Sequence, residues 1–250
     1  ISDDGNTLAV GAIGEDSNAV GIGGDQTDNS TGQRGAVYVF TRSGSNWSQQ
    51  AYVKASYAGI GTLASNFGLG IVLSANGNTM AVSAPAEDSN ATGIDGNQAD
   101  STAGDSGAVY VFTRSGSTWS QQAYVKASNP AFNDYFGNAV TLSADGNLLA
   151  VGAPQEDSNA RGVGGSDAND SSVNSGAVYL FRRTNGAWSQ QSYIKAPNND
   201  LGDRFGWAVS LSGDGNTLAV GADSERGTSS GVGGDQTSNG TGPSGAVYLY

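Results

Sequence analysis

Two residue types are missing from the 250-residue chain altogether: cysteine and histidine. Without cysteine there are no disulfides, no thiolate metal ligands and no thiol redox chemistry. Without histidine the commonest general base and transition-metal ligand is gone. Basic residues are scarce, 11 Lys and Arg against 23 Asp and Glu, for a formal net charge of -12. Such a chain lacks the basic footprint that nucleic acid and anionic membrane surfaces need. Divalent cations or basic partners suit it better. No apolar run approaches the roughly 20 residues that span a bilayer, so no membrane insertion is expected. No secretory signal is visible. The chain opens on Ile1 rather than Met, so a processed product or an excerpt is expected.

Glycine, by contrast, is abundant at 39 residues, and Ser, Thr, Asn and Asp crowd the gaps between short apolar runs. That is the composition of many short strands joined by turns. The runs recur in phase. Leu149–Pro154 has counterparts at Leu8–Ile13, Met80–Pro85 and Leu218–Asp223, offset by 72, 69 and 69 residues. A second run follows each at constant spacing: Gly35–Phe40, Gly107–Phe112, Gly176–Phe181 and Gly245–Tyr250. A fixed period decides the architecture before any other feature.

One unit reads as four strands. The first, Phe136–Ser143, matches Phe67–Ser74 and Phe205–Ser212. An Asp145-Gly146 turn follows, echoed at Asp4-Gly5, Asn76-Gly77 and Asp214-Gly215, and predicts a hairpin with positive φ at both central residues. The second strand is Leu149–Ala153. A long polar loop, Glu156 to Ser175, leads to a third strand, Gly176–Phe181, apolar on both faces. Such a strand needs a sheet packed on each side. Arg182–Gly186 turns the chain, with Arg182-Arg183 expected in solvent. The fourth strand, Trp188–Lys195, matches Trp47–Lys54 and Trp119–Lys126 and reads as an outer edge.

Four antiparallel strands in about 70 residues, inner ones buried on both faces, describe an all-β fold of β-propeller blades. The chain divides into a partial blade at 1–56, blades at 57–128 and 129–197, and a second partial blade at 198–250, about three and a half blades in all. It holds three first, four second, four third and three fourth strands. Further blades or other copies of the chain are expected at the open ends, since an unpaired edge templates strand addition and unclosed repeats can propagate as a fibre.

Phe136-Gly137 with Gly152-Ala153-Pro154, Phe67-Gly68 with Ser83-Ala84-Pro85, and Phe205-Gly206 with Gly221-Ala222-Asp223 resemble the FG-GAP repeat, with a partial copy at Gly11-Ala12-Ile13. The resemblance covers essentially the whole chain. It implies a propeller, usually extracellular or on the cell surface, that serves adhesion or recognition rather than catalysis. The family's calcium loop, with acidic residues at alternate positions before Asp-Gly, is not matched: the hairpin here is only Leu142–Asn147.

The acids concentrate instead in the four long loops, which hold 16 of the 23. Glu15-Asp16, Glu87-Asp88 and Glu156-Asp157 open three of them, with Asp25, Asp95 and Asp167 further on. Oxygen ligands on a glycine-rich backbone suit Ca2+, which takes six to eight oxygens. These nine carboxylates are the candidate calcium ligands. The competing reading makes them turn formers in solvated loops. Glu225-Arg226 breaks the pattern in the fourth loop.

Trp47, Trp119 and Trp188, with Phe67, Phe136 and Phe205, are candidate structural positions of the repeat. The tryptophans cap the blade edge against a neighbour, or stack on sugars at a rim. Trp207 is a packing or local contact. Asn29, Asn46, Asn90, Asn169 and Asn239 fit the glycosylation pattern, which arises readily by chance here. For catalysis there is little. No phosphate-cradling Gly loop with Lys is present, and neighbouring Glu-Asp carboxylates point apart in extended chain, against glycoside hydrolysis. The expected function is therefore that of a non-enzymatic structural or adhesive propeller, with a Ca2+-dependent module for a glycan or surface protein as the alternative.

Overall fold

A computed structural model describes residues 1–57, 65–240 and 242–250. The start of the second predicted blade and Thr241 of the Asn239 glycosylation pattern lie outside these. The described residues form fourteen strands and no helix. They are β1 Thr7–Ala12, β2 Ala36–Ser43, β3 Asn46–Val53, β4 Ile71–Leu73, β5 Thr79–Ala84, β6 Ala108–Ser115, β7 Thr118–Val125, β8 Ala139–Leu142, β9 Leu148–Ala153, β10 Ala177–Thr184, β11 Ala187–Ile194, β12 Phe205–Leu211, β13 Leu218–Ala222 and β14 Ala246–Leu249. They make four antiparallel meanders: β1-β2-β3, β4-β5-β6-β7, β8-β9-β10-β11 and β12-β13-β14. Among the described residues the first sheet has no innermost strand and the last has no outermost one.

The core lies between sheets. Val37, Val39 and Val53 of the first sheet meet Met80, Val82, Tyr110 and Phe112 of the second. The other face of the second, Ala81, Val109, Val111 and Val125, meets Leu149, Val151, Tyr179 and Phe181 of the third. Val178 and Ile194 then meet Leu218, Val220 and Tyr248 of the fourth. Strand alternation sends Val109 and Val111 one way and Tyr110 and Phe112 the other, so β6 is buried on both faces. Each large buried side chain contributes roughly 1.5–3 kcal/mol, and most of that exists only where a neighbouring sheet is present.

The Phe-Gly pairs tie units together. Phe67, Phe136 and Phe205 are fully buried and pack edge-on against Tyr110, Tyr179 and Tyr248 of their own units, at 5.4, 5.3 and 5.4 Å between ring centroids. The backbone carbonyls of these phenylalanines lie on the preceding sheet at Gly35, Gly107 and Gly176. A Cβ on any of those glycines would come within 2.1 Å of the Phe oxygen.

Several expectations need correction. Two first strands are shorter than expected: Phe67-Gly68 and Phe136-Gly137 lie outside β4 and β8, whereas Phe205-Gly206 lies inside β12, with a bulge between Phe205 and Ala208, although Gly68, Gly137 and Gly206 take the same positive φ of +92°, +97° and +91°. The Asp145-Gly146 loop is not a two-residue turn. The Gly146 N–H donates to the Ser143 carbonyl, and only the glycine has positive φ. Asp145 Oδ1 accepts from Ser143 Oγ at 2.5 Å and the Asn147 N–H at 2.9 Å. The Ser143 hydroxyl, first among these donors, holds the Asp145 carboxyl below its usual range. The tight two-residue hairpins are those between third and fourth strands: Asn185-Gly186, both at positive φ, and Gly44-Ser45 and Gly116-Ser117, with the glycine at positive φ. Arg182-Arg183 accordingly lies within β10, not in a turn.

Candidate functional site

The acidic loops join second to third strands and fold back over the ends of the fourth strands. Lys54 N–H donates to the Gly21 carbonyl, Lys126 N–H to Gly93 and Lys195 N–H to Gly162. Ile22, Ile94 and Val163 thereby form isolated bridges to Val53, Val125 and Ile194. The Gly-Ile-Gly type of tripeptide has this purpose: an apolar residue between turn formers, laid along a strand edge.

Beneath each loop the Glu of the Glu-Asp pair turns inward onto a lysine. Lys54 Nζ lies 2.5 Å from Glu15, Lys126 Nζ 2.8 Å from Glu87, and Lys195 Nζ 2.6 Å from Glu156, with all three lysines buried. Lys126 and Lys195 also donate to Ser106 Oγ and Ser175 Oγ, at 2.8 and 2.7 Å. Glu156 Oε1 further accepts from Asn129 Nδ2 at 2.9 Å and Tyr193 OH at 2.8 Å, and Tyr179 OH donates to Asn129 Oδ1. Burial lowers the affinity of Lys126 and Lys195 for their protons, and the facing glutamates offset part of that. A buried ion pair needs such added hydrogen bonds to offset desolvation.

The aspartates are loop staples. Asp16, Asp88 and Asp157 accept from the backbone N–H of Gln33, Asp105 and Asn174, at 2.7, 3.0 and 2.7 Å. Asp25 accepts from the N–H and hydroxyl of Thr27, and that hydroxyl is the main cause of its lowered pKa. Asp95 accepts from the Tyr124 N–H, and Asp167 from Ser128 Oγ. The nine candidate calcium ligands are thus brought together only as Glu-Asp neighbours. No group of three or more such carboxylates that could hold a metal occurs among the described residues. Three of the nine face an ammonium group, and the others are engaged by N–H or O–H donors. This arrangement does not fit Ca2+, which needs a convergent oxygen shell.

The lysines were not singled out from sequence, although a signal existed. Each follows its glutamate by 39 residues, in a chain with 11 bases. Arg42 and Arg114 were missed likewise, and Arg183, expected in solvent, is partly buried in the same role. Each lies over the Trp of its own unit, at 5.8, 5.3 and 5.4 Å from Trp47, Trp119 and Trp188. Gln50 Oε1 of the first sheet accepts from both Arg114 and Trp119 Nε1 of the second; Gln122 accepts from both Arg183 and Trp188 of the third. Trp119 and Trp188 are buried by this clamp, at 4% and 6% exposure, whereas Trp47 is 41% exposed. Trp207 stacks under Arg204 at 3.8 Å, a local contact.

Asp134 is a further buried acid, in the linker before Phe136. Its Oδ2 accepts from the Ala131 N–H, its Oδ1 has no partner, and burial pushes its pKa up to about 7. Asp203, its counterpart before Phe205, is pushed to about 6 by the same cause.

Tandem antiparallel sheets, stacked face to face and clamped between the first and second and between the second and third, define an all-β repeat protein of propeller-like blades. The FG-GAP repeat model matches residues 119–181 and 188–250, half of the chain. The chain belongs to the FG-GAP repeat family. Each match starts on a clamp tryptophan and ends on the third strand of the next sheet, so the unit straddles a sheet boundary. No curated protein matches the chain. Similar solved structures include a candidate 6-phosphogluconolactonase from Bacteroides uniformis, at 13% identity and TM-score 0.45, covering 87% of this chain and 52% of that one. A hypothetical selenium-binding protein from Sulfolobus tokodaii is similar at 8% identity and TM-score 0.38, covering 74% and 37%. The chain thus spans about half or less of the length of these structures.

Proposed function

We propose that the chain is a non-enzymatic structural or adhesive module of an extracellular or surface protein, forming part of a larger propeller or array. The observation that carries this reading is where the polar chemistry goes. The Glu-Lys clusters recur in three units and are sealed from solvent, so they serve the scaffold rather than one reaction centre. The Arg-Trp-Gln clamps are likewise spent on joining sheets. FG-GAP membership supports a surface location.

A second reading is a binding module for a glycan or surface protein. One observation favours it: a cleft of about 520 Å3 between the third and fourth acidic loops, lined by Arg161, Asn198, Asp200, Asp235, Gln236 and Asn239 among others. Such hydrogen-bonding groups suit hydroxylated ligands.

The test is to label intact cells with antibody against the chain, image the purified protein by negative stain, and screen it on a glycan array. Surface labelling with assembled particles supports the first reading. Glycan hits lost in Arg161→Ala support the second. Turnover of a polysaccharide or lactone would overturn both.

A further inference from the structure

We infer that Lys195 and Asn129 join in an intramolecular isopeptide bond, from Lys195 Nζ to Asn129 Cγ, with Glu156 carrying the protons and one ammonia released. The observation behind it is a single carboxylate that bridges an amine and an amide inside the protein.

Three parts of such a reaction surround Glu156. The nucleophile is the Lys195 amine, fully buried and 2.6 Å from Glu156 Oε2. Burial disfavours its ammonium form and moves the lysine towards the neutral amine that attacks carbonyl carbon. The electrophile is the Asn129 side-chain amide. Its Nδ2 donates to Glu156 Oε1 at 2.9 Å and to the Asp167 carbonyl at 3.0 Å, which fixes the plane of the amide. Its Oδ1 accepts from Tyr179 OH at 2.5 Å. That hydroxyl is the third part. Tyr179 is fully buried, and desolvation raises its pKa well above the ordinary value, so it stays a donor aimed at the oxygen on which negative charge develops. Tyr193 OH, 2.8 Å from Glu156 Oε1, helps hold the carboxylate between the two nitrogens.

The step balances without a co-reactant. Glu156 Oε2 takes a proton from the Lys195 ammonium. The neutral Nζ bonds to Asn129 Cγ, and the carbonyl electron pair moves onto Oδ1 beneath Tyr179. Glu156 passes its proton to Nδ2 and takes another from Nζ. The Cγ–Nδ2 bond then breaks as the Oδ1 pair re-forms the carbonyl. The released ammonia collects the last proton from Glu156 and departs as ammonium, which restores the carboxylate. Asn129 is only half-buried, so the leaving group has a way out.

Among the described residues only the third unit brings both halves together. In the second, Lys126 faces Glu87, but Tyr57 stands at the position of Asn129. In the fourth, Asn198 donates to Glu225 Oε1 and accepts from Tyr248 OH, which repeats the amide half without a lysine contact. The bond closes a ring around β8 to β11, so it restricts the unfolded chain as a disulfide does. It serves the scaffold, as a covalent counterpart of the Arg-Trp-Gln clamps. The structure shows the reactants. Attraction within the ion pair opposes the first proton transfer, so freshly folded protein holds the pair and the bond accumulates on incubation.

The test is intact-mass spectrometry of the purified protein, sampled over days of incubation below its melting temperature. The expected result is a species lighter by one ammonia whose fraction grows with time. The melting temperature should rise with that fraction, and a proteolytic digest should yield a branched peptide joining the Asn129 and Lys195 segments. Lys195→Arg keeps the positive charge without the nucleophile and should show none of these changes. Asn129→Ala should show none either, and it leaves the ion pair in place should the arginine variant fail to fold. An unchanged mass in the parent protein overturns the inference. So does ammonia loss that persists in Asn129→Ala or yields no branched peptide, which would assign it to a backbone succinimide at a site such as Asn185-Gly186.

Discussion

Replacing Lys195 with methionine should cost the protein about 3–5 kcal/mol. Lys195 is fully buried, 2.6 Å from Glu156 Oε2 and 2.7 Å from Ser175 Oγ. Methionine fills similar volume but leaves the Glu156 carboxylate with only the neutral donors of Asn129 and Tyr193. An uncompensated charge in that place is the large term, since little solvent reaches it. The pair as a whole is different: removing both charges in Lys195→Met/Glu156→Gln should return stability to within about 1–2 kcal/mol of the parent, because desolvation and attraction nearly cancel. The coupling energy between the two sites should therefore be at least 2 kcal/mol, about the upper range for contacting residues. Urea unfolding followed by tryptophan fluorescence measures all four species. A single-variant loss below about 1 kcal/mol, or a coupling near zero, would refute the claim that this pair is desolvated. The cycle also separates the ion pair from a calcium site. If Glu156 were a metal ligand, Lys195→Met would free its carboxylate, and millimolar Ca2+ would restore the lost stability. No such rescue is expected.

Four further outcomes follow from the same geometry. Chelation with EDTA should leave the melting temperature unchanged, as read by calorimetry with and without added Ca2+. Asp134→Asn should stabilise the protein above pH 7. The folded carboxyl is held near 7 against an ordinary 3.8, so its contribution is full below about pH 4 and lost as pH rises to 7. The variant minus parent difference in unfolding free energy, read from urea titrations, should grow over that window, towards roughly 2–4 kcal/mol. Gly107→Ala should cost about 2–4 kcal/mol through left-handed strain plus collision with the Phe136 carbonyl, whereas Gly245→Ala should cost only the strain, about 1 kcal/mol. Gln122→Ala removes the acceptor of both Arg183 and Trp188 and should cost about 1–2 kcal/mol in thermal or urea unfolding. Gln191→Ala, whose amide oxygen meets only Arg182 at the surface, should be close to neutral.

Much of the fold was legible because the repeat is an internal alignment. Four in-phase copies of Gly-Ala-Val-Tyr and three of Trp-Ser-Gln-Gln placed the strands within a few residues. Apolar side chains on both faces of the third strand pointed to stacked sheets, and Val109 and Tyr110 are buried on opposite sides of β6. What misled was local. Phe136-Gly137 reads as strand by its apolar side chains, but the Gly137 backbone is left-handed and the ladder starts only at Ala139. Asp-Gly reads as a two-residue hairpin, yet Ser143 lies two residues before Asp145 and turns the carboxylate into an acceptor that stabilises a longer loop.

The site was harder to read, since the character of a carboxylate depends on what faces it. Glu156 and Asp157 are adjacent and look equivalent in sequence. One turns in to Lys195, across 39 residues of chain, and the other caps a backbone N–H of its own loop. A metal reading takes acids as a group and overlooks bases at constant offset, whereas pairing each Glu with the Lys in step with it gives the observed contact. The same logic explains why the ends of the chain look unlike its middle. Trp47, Val247 and Gly245 are chemically the same as residues buried elsewhere in the chain; they differ only in lacking the neighbouring sheet. Stability in such an array belongs to joints more than to sheets. A change at Val109 or Val178 should therefore unfold two sheets together, while the same change at Val247 is absorbed by solvent.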